Sequence, residues 1–269
     1  MPLSIKMAMI KLIDTHAHLN HVENVEVALK EASEAGVAGV VAVGIDLASN
    51  KKNLEIKKKT KNPAVFLAFG VQPESLENSN PAAHGECFSF IKENIKEAAA
   101  IGEIGLDYWY KWAKKDDAKK KEQREIFDAQ LQMAREYNLP AVIHSRGSWR
   151  DCFDMAKAAK VRKAVFHWYS GPTDILDEII NYGYLISAGP ALSYSPQHKE
   201  AMMRAPIESM MIETDSPVFY GSGESGFRAG PKDVFRSLRL YCELKSMNEE
   251  KAAEIFYRNS QDFFGIKEG

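Results

Sequence analysis

The chain predicts an α/β fold, a (β/α)8 TIM barrel, and three observations point there. Eight short apolar runs recur along 269 residues, the intervals between them carry helical periodicity, and no GxGxxG or Walker-type phosphate loop suggests an open doubly wound sheet. Each run is nearly continuous in apolar residues, as expected of parallel strands covered on both faces.

The first strand is LIDTHAH at 12–18, and Val25, Ala28, Leu29 and Ala32 then form one face of a helix. Strands follow at GVVAVGI (39–45), AVFLAFGV (64–71) and AAIGEIGLD (99–107). A helix with Phe127, Leu131 and Ala134 on one face leads to LPAVIHS (139–145) and KAVFHW (163–168). Ile175, Leu176, Ile179 and Ile180 mark another helix before YLISAGP (184–190) and MMIETDSP (210–217). No linker-like stretch divides the chain, so one domain is expected over 1–269.

Composition narrows the class. With 45% hydrophobic and 27% charged residues, the chain resembles ordinary soluble globular proteins. Lys6 and Lys11 interrupt the apolar N-terminus and no small-residue cleavage site follows, which argues against a signal peptide. The apolar run at 36–45 is about half the roughly 20 residues of a membrane span. A cytoplasmic protein is expected. Cys87, Cys152 and Cys242 are far apart in apolar-periodic segments and are expected simply to pack. A net charge of −2 provides no global attraction for nucleic acid, so any such binding needs a local patch.

The metal-type residues fall at strand ends: His16 and His18 on strand 1, Glu103 on strand 4, His144 on strand 5, His167 on strand 6 and Asp215 on strand 8. These are C-terminal ends, the face on which barrel enzymes build their sites. Residues i and i+2 of a strand share a side, so His16 and His18 can address one ion. A lone histidine at a strand end is more often hydrogen-bonded filler, but coincidence at five of eight strand ends favours one site. Four imidazoles with two carboxylates suit a pair of divalent ions. The absence of thiolate favours Zn²⁺ or Mn²⁺, whereas Mg²⁺ would be expected to take mostly oxygen. Asp14 is read as structural.

IDTHAHL (13–19), GEIGLDYW (102–109), VIHSR (142–146), FHWYSG (166–171), IETDSP (212–217), FRAGP (227–231) and the closing RNSQDFFG stand in an order that resembles the TatD-type metal-dependent hydrolases. That family, a branch of the amidohydrolase superfamily, includes deoxyribonucleases. The resemblance implies one metal at His16, His18, Glu103 and Asp215, and a second at Glu103, His144 and His167, with Glu103 bridging. Glu103 stands where related barrels often carry a carbamylated lysine.

The implied mechanism is phosphodiester hydrolysis from strand ends by water whose pKa the metal pair lowers toward roughly 7. In it Asp215 accepts the proton, and Arg146 and, more weakly, Arg228 assist the phosphate. In the loop after strand 4, Tyr108, Trp109, Tyr110 and Trp112 are interleaved with Lys111, Lys114, Lys115, Lys119, Lys120 and Lys121, a composition suited to single-stranded DNA. Tyr108 is therefore a further substrate-binding candidate. Where relatives often read GIHPH, this chain has Gln72 and Glu74, and Trp168 replaces the usual small residue after His167. These departures leave open an alternative, a bimetal enzyme acting on a small amide, lactone or phosphoester. A non-catalytic binding protein fits the ligand set least well.

Overall fold

The computed structural model describes residues 10–78, 81–221 and 226–267. Most of the N-terminal stretch read as lacking a signal peptide, residues 1–9, lies outside the described residues. The eight strands are β1 (Leu12–Ala17), β2 (Val37–Val43), β3 (Ala64–Phe69), β4 (Ala98–Gly105), β5 (Ala141–His144), β6 (Ala164–Phe166), β7 (Leu185–Ala188) and β8 (Met210–Ile212). They hydrogen-bond in that order and every pair is parallel. Closure comes from a bridge between Ala17 and Ser216, where the His18 amide donates to the Ser216 carbonyl (2.7 Å) and the Asp215 amide to that of His16 (2.9 Å). The result is a nearly closed barrel of eight strands with alternating helices, the fold class expected.

The helices between strands are α1 (Val25–Ala35), α2 (Leu47–Lys59), α3 (Pro81–Glu93), α4 (Asp117–Glu136), α5 (Trp149–Ala158), α6 (Thr173–Asn181) and α7 (Pro196–Arg204). After β8 come a short hairpin, β9 (Phe219–Tyr220) with β10 (Phe227–Arg228), and then α8 (Val234–Lys245) and α9 (Glu249–Phe264). Their starts follow from local chemistry. Asp46 and Ser49 form a capping box on α2, and the Asp116 carboxylate accepts from the Ala118 and Lys119 amides to open α4. Leu29 and Ala32 on α1, Phe127, Leu131 and Ala134 on α4, and Ile175, Leu176 and Ile179 on α6 are buried against the sheet, as their spacing predicts. Cys87, Cys152 and Cys242 are buried and free. Among the described residues no helix is long and apolar enough to cross a membrane.

Two apolar layers result. One lies between sheet and helices; the other fills the barrel with Ile13, Val41, Val43, Ala68, Ala100, Val142, Val165 and Met211. Phe263 and Phe264 of α9 pack against this interior layer. The same helix sends the Asn259 side chain to donate to the carbonyls of Ile207 (2.8 Å) and Met210 (2.7 Å), fixing the start of β8. Replacing Asn259 with Ala removes the side-chain donor from both carbonyls, of which Ile207 keeps the Met210 amide. It should cost about 1–2 kcal/mol and lower Tm by about 2–8 °C in a thermal melt; an unchanged Tm would show that α9 does not hold β8 by this contact.

Candidate metal centre

The interior layer explains which side chains can reach the barrel mouth. Val142 and Val165 face the interior, so His144 and His167, two residues on, share that side with no change of pleat. Met211 likewise faces the interior, and Glu213 follows just past the end of β8; Asp215 comes after it in a left-handed turn, with φ +50°. On β1 the interior residue is Ile13, so a regular strand would bring Thr15 and Ala17 inward and turn both histidines out. The register shifts between Asp14 and Ala17, three residues on β1 against two on β2, and His16 and His18 take the inner side. β4 repeats the device. Ala100 is interior, the register shifts between Ile101 and Ile104, and Glu103 rather than Ile104 faces the centre. Gly105 beside it has φ +144°, and a Cβ there would lie 1.9 Å from the His144 carbonyl oxygen, so the close approach of β4 to β5 requires glycine.

The six predicted residues are brought together. Glu103 Oε2 lies 3.6 Å from Nε2 of His16 and of His18, while Asp215 Oδ1 lies 3.5 and 3.3 Å from the same nitrogens. Ligand atoms around a tetrahedral ion stand about 3.4 Å apart when its bonds are about 2.1 Å long. Glu103 Oε1 meets a second set: it is 2.9 Å from His144 Nδ1 and 2.8 Å from His167 Nε2, and those nitrogens are 3.3 Å apart. These are hydrogen-bond distances, and the three atoms converge closely enough for one ion to replace the shared protons. His16 Nδ1, His16 Nε2 and Asp215 Oδ1 are buried with no hydrogen-bond partner. Buried polar atoms left so cost about 1–3 kcal/mol each, a penalty that a bound cation removes from Nε2 and Oδ1. The donor set therefore fits divalent metal, and the clusters His16–His18–Glu103 and Glu103–His144–His167 could each hold an ion.

Charge is already polarised there. Burial opposes ionisation of Glu103, but His167, His144 and His16 outweigh it and hold the carboxyl well below the usual carboxylate range. Burial is also opposed at Asp215, whose carboxyl His18, His16 and His167 bring down to about 2. His167 is raised well above the ordinary imidazole value despite burial, chiefly by Glu103, and His144 is raised by Asp107 and Glu103. Burial, then the neighbouring His167, lowers His16. Permanent anions thus face imidazoles that share protons, and metal binding displaces those protons.

Three carboxylates position this constellation. Asp107 Oδ2 lies 2.8 Å from His144 Nε2 and accepts from Arg146 Nε at 2.8 Å, while its Oδ1 accepts from the Trp109 and Tyr110 amides. Glu213 Oε1 accepts from the Trp168 amide (3.0 Å) and faces His167 Nδ1 at 3.6 Å. Asp14 accepts from the Thr214 amide (2.9 Å) and hydroxyl (2.6 Å), tying β1 to the segment after β8, so its role is structural, as expected. Asp107 and Glu213 were missed as site residues by sequence reasoning. A signal existed: Glu213 is two residues before Asp215, and Asp107 follows Glu103 within GEIGLD.

A cavity of about 580 Å³ opens over the centre. Arg146, Gln72, Glu74, Trp109, Tyr110 and Trp168 help line it. Arg146 stacks its guanidinium 4.9 Å from the Tyr110 ring centroid. Two other expectations need correction. Tyr108 is not among the lining residues; its hydroxyl donates to Asp151 at 2.8 Å, because the strand has ended and the Asp107 turn brings Trp109 and Tyr110 to the cavity instead. Arg228 is also outside the lining and donates to the Pro217 carbonyl at 3.0 Å, held by the β9–β10 hairpin. His198 shows the alternative fate of a histidine. It is buried between the Tyr169 carbonyl (2.7 Å) and the Gly189 amide (3.2 Å), with both ring nitrogens satisfied.

Known proteins carry the same framework. A family profile described as TatD related DNase matches residues 13–265. An uncharacterised metal-dependent hydrolase of Methanocaldococcus jannaschii is 32% identical over 258 residues, covering 95% of this chain and 97% of that protein. The human deoxyribonuclease TATDN3 is 27% identical over 268 residues, with 96% of each chain covered. Among solved structures, the TatD homologue YjjV of Escherichia coli superposes with a TM-score of 0.86 at 24% identity, covering 97% of this chain and all of its own. With its profile matched across nearly the whole barrel, the chain belongs to the TatD family of metal-dependent hydrolases.

Proposed function

We propose that the protein is a deoxyribonuclease that hydrolyses phosphodiesters at the ends of single strands with two divalent ions. The observation that carries this reading is the division of one carboxylate. Glu103 turns Oε2 to His16 and His18 and Oε1 to His144 and His167, so two cation positions flank a single bridging side chain. In this reading His16, His18, Glu103 and Asp215 hold one ion and Glu103, His144 and His167 the other, of Zn²⁺, Mn²⁺ or Mg²⁺. Bound there, such ions supply Lewis acidity, neutralising charge on a phosphoryl oxygen and acidifying water.

The chain's own groups do the rest. Asp215 is ionised across the neutral range and accepts the proton of the attacking water at Oδ2, leaving Oδ1 to the cluster. Arg146 is fixed through Nε by Asp107 and keeps its terminal nitrogens for phosphate oxygens. Lys111, Lys114 and Lys115 are exposed on the loop after β4 and make no ion pair among the described residues, whereas Lys119, Lys120 and Lys121 pair with Glu122, Asp117 and Glu125. The first three are thus the better track for a DNA backbone. The name of the human relative supports a DNA substrate for this chain. One observation favours a smaller substrate: the exposed Glu74 carboxylate at the cavity wall would repel a second phosphate.

Metal-replete wild type should bind close to two ions per chain by elemental analysis and digest single-stranded oligonucleotides. His16→Ala with His18→Ala should lose one ion and at least about 100-fold of the activity. Retention of both ions by the double variant would overturn the assignment of that position. The lysines separate the substrate classes. Lys114→Ala with Lys115→Ala should reduce the slope of log activity against log salt by about 1.4 for single-stranded DNA, at about 0.7 per phosphate contact, and leave a small phosphoester unaffected. Equal losses on both would favour the small-substrate enzyme.

A further inference from the structure

We propose that the indole of Trp109 is the platform on which the terminal base of the substrate strand stacks. This rests on the nuclease reading and names the residue that selects a strand end. Of the four tryptophans, all within the described residues, only Trp109 is exposed, at 56%, and it shares the cavity wall with His144 and Arg146. A large aromatic ring left open beside a polar centre offers a flat face on which a planar ligand can stack.

Its position is fixed before any ligand arrives. The Trp109 amide donates to Asp107 Oδ1 at 2.9 Å. The ring lies on Gly147, whose φ is +73° and where a Cβ would fall 2.4 Å from the indole Cδ1. Trp149 meets it edge to face, with ring centroids 5.7 Å apart and planes at 89°. A ring held this way loses little freedom when a base covers it. Asp107 also holds Arg146, so the aromatic platform and the cation for the phosphate hang from one buried carboxylate at a fixed offset. A nucleotide likewise carries a base and a phosphate on one framework, so one ligand could use both groups. Stacking needs no particular base edge, so the site tolerates any sequence.

The test compares wild type, Trp109→Ala and Trp109→Phe, each metal-loaded, on two single-stranded oligonucleotides. They share one sequence, but the second carries an abasic nucleotide at the end from which wild type digests. On the ordinary strand Trp109→Ala should raise KM about tenfold, within the roughly 5- to 150-fold span of base–aromatic stacking, and Trp109→Phe should recover most of it. On the abasic strand wild type should itself be impaired and Trp109→Ala should add less than about twofold. Equal losses on both strands would make Trp109 merely structural and overturn the proposal, as would cutting only at internal positions. Failure of wild type to digest any oligonucleotide would overturn the nuclease reading and the stacking with it.

Discussion

Everything at the barrel mouth depends on where one carboxylate points. Glu103 is buried at the centre of the strand ends, and each of its oxygens serves a different pair of imidazoles. A buried carboxylate without partners would be forced neutral. Here the surrounding imidazoles keep it ionised, and its charge in turn keeps His167 and His144 receptive to protons. Anion and imidazoles thus define each other's state. Loss of either partner leaves the other buried and unbalanced, which ties the chemistry of the centre to its geometry.

That arrangement requires two strands to break their own pleat. β5 and β6 deliver their histidines in phase with the apolar layer beneath, whereas Asp215 lies beyond β8 in a left-handed turn, with φ +50°, that its amide bond to the His16 carbonyl holds. β1 and β4 cannot do so, and both carry an extra residue against a neighbouring strand in the span that holds the polar residue. The loss of ladder regularity is offset by contacts that fix the re-aimed segments. Asp14 and the closing bridge at Ala17 and Ser216 hold β1 to the chain beyond β8, and Gly105 lets β4 run against β5. Asp107 then couples the centre to its rim, since the carboxylate beside His144 also sets the backbone of Trp109 and Tyr110.

The eight strands were legible because parallel strands buried on both faces leave near-continuous apolar runs, and the observed elements fall within a few residues of them. His16 and His18 were legible as a pair because both reach the inner side, although the register shifts between Asp14 and Ala17. The shift itself was not legible, since neither LIDTHAH nor AAIGEIG carries a residue pattern that marks the extra position. Residues beyond strand ends were misread for a related reason. Once the pleat stops, period-2 alternation no longer predicts direction, and Tyr108 turned to Asp151 while its neighbours took the cavity. Asp107 and Glu213 escaped notice because a carboxylate behind a histidine looks, in sequence, like any loop or strand-end acid.

The departures at Gln72, Glu74 and Trp168 acquire a physical meaning once the cavity wall is known. Gln72 accepts from the Glu74 amide at 2.6 Å and faces the Tyr110 hydroxyl, so it has become part of the wall's framework. Trp168 packs its ring 5.5 Å from Tyr220 and donates its amide to Glu213, which narrows the side of the cavity next to His167. Glu74 adds negative charge at the opening. Among the described residues Arg146 is the sole lysine or arginine lining the cavity, with the exposed lysines further along the loop after β4. A long polyanion lying across the whole cavity would meet Glu74 without compensation. One strand end entering between Arg146 and Trp109 would not, and for the deoxyribonuclease proposed above this asymmetry of charge would favour digestion from an end over cleavage in the middle of a strand.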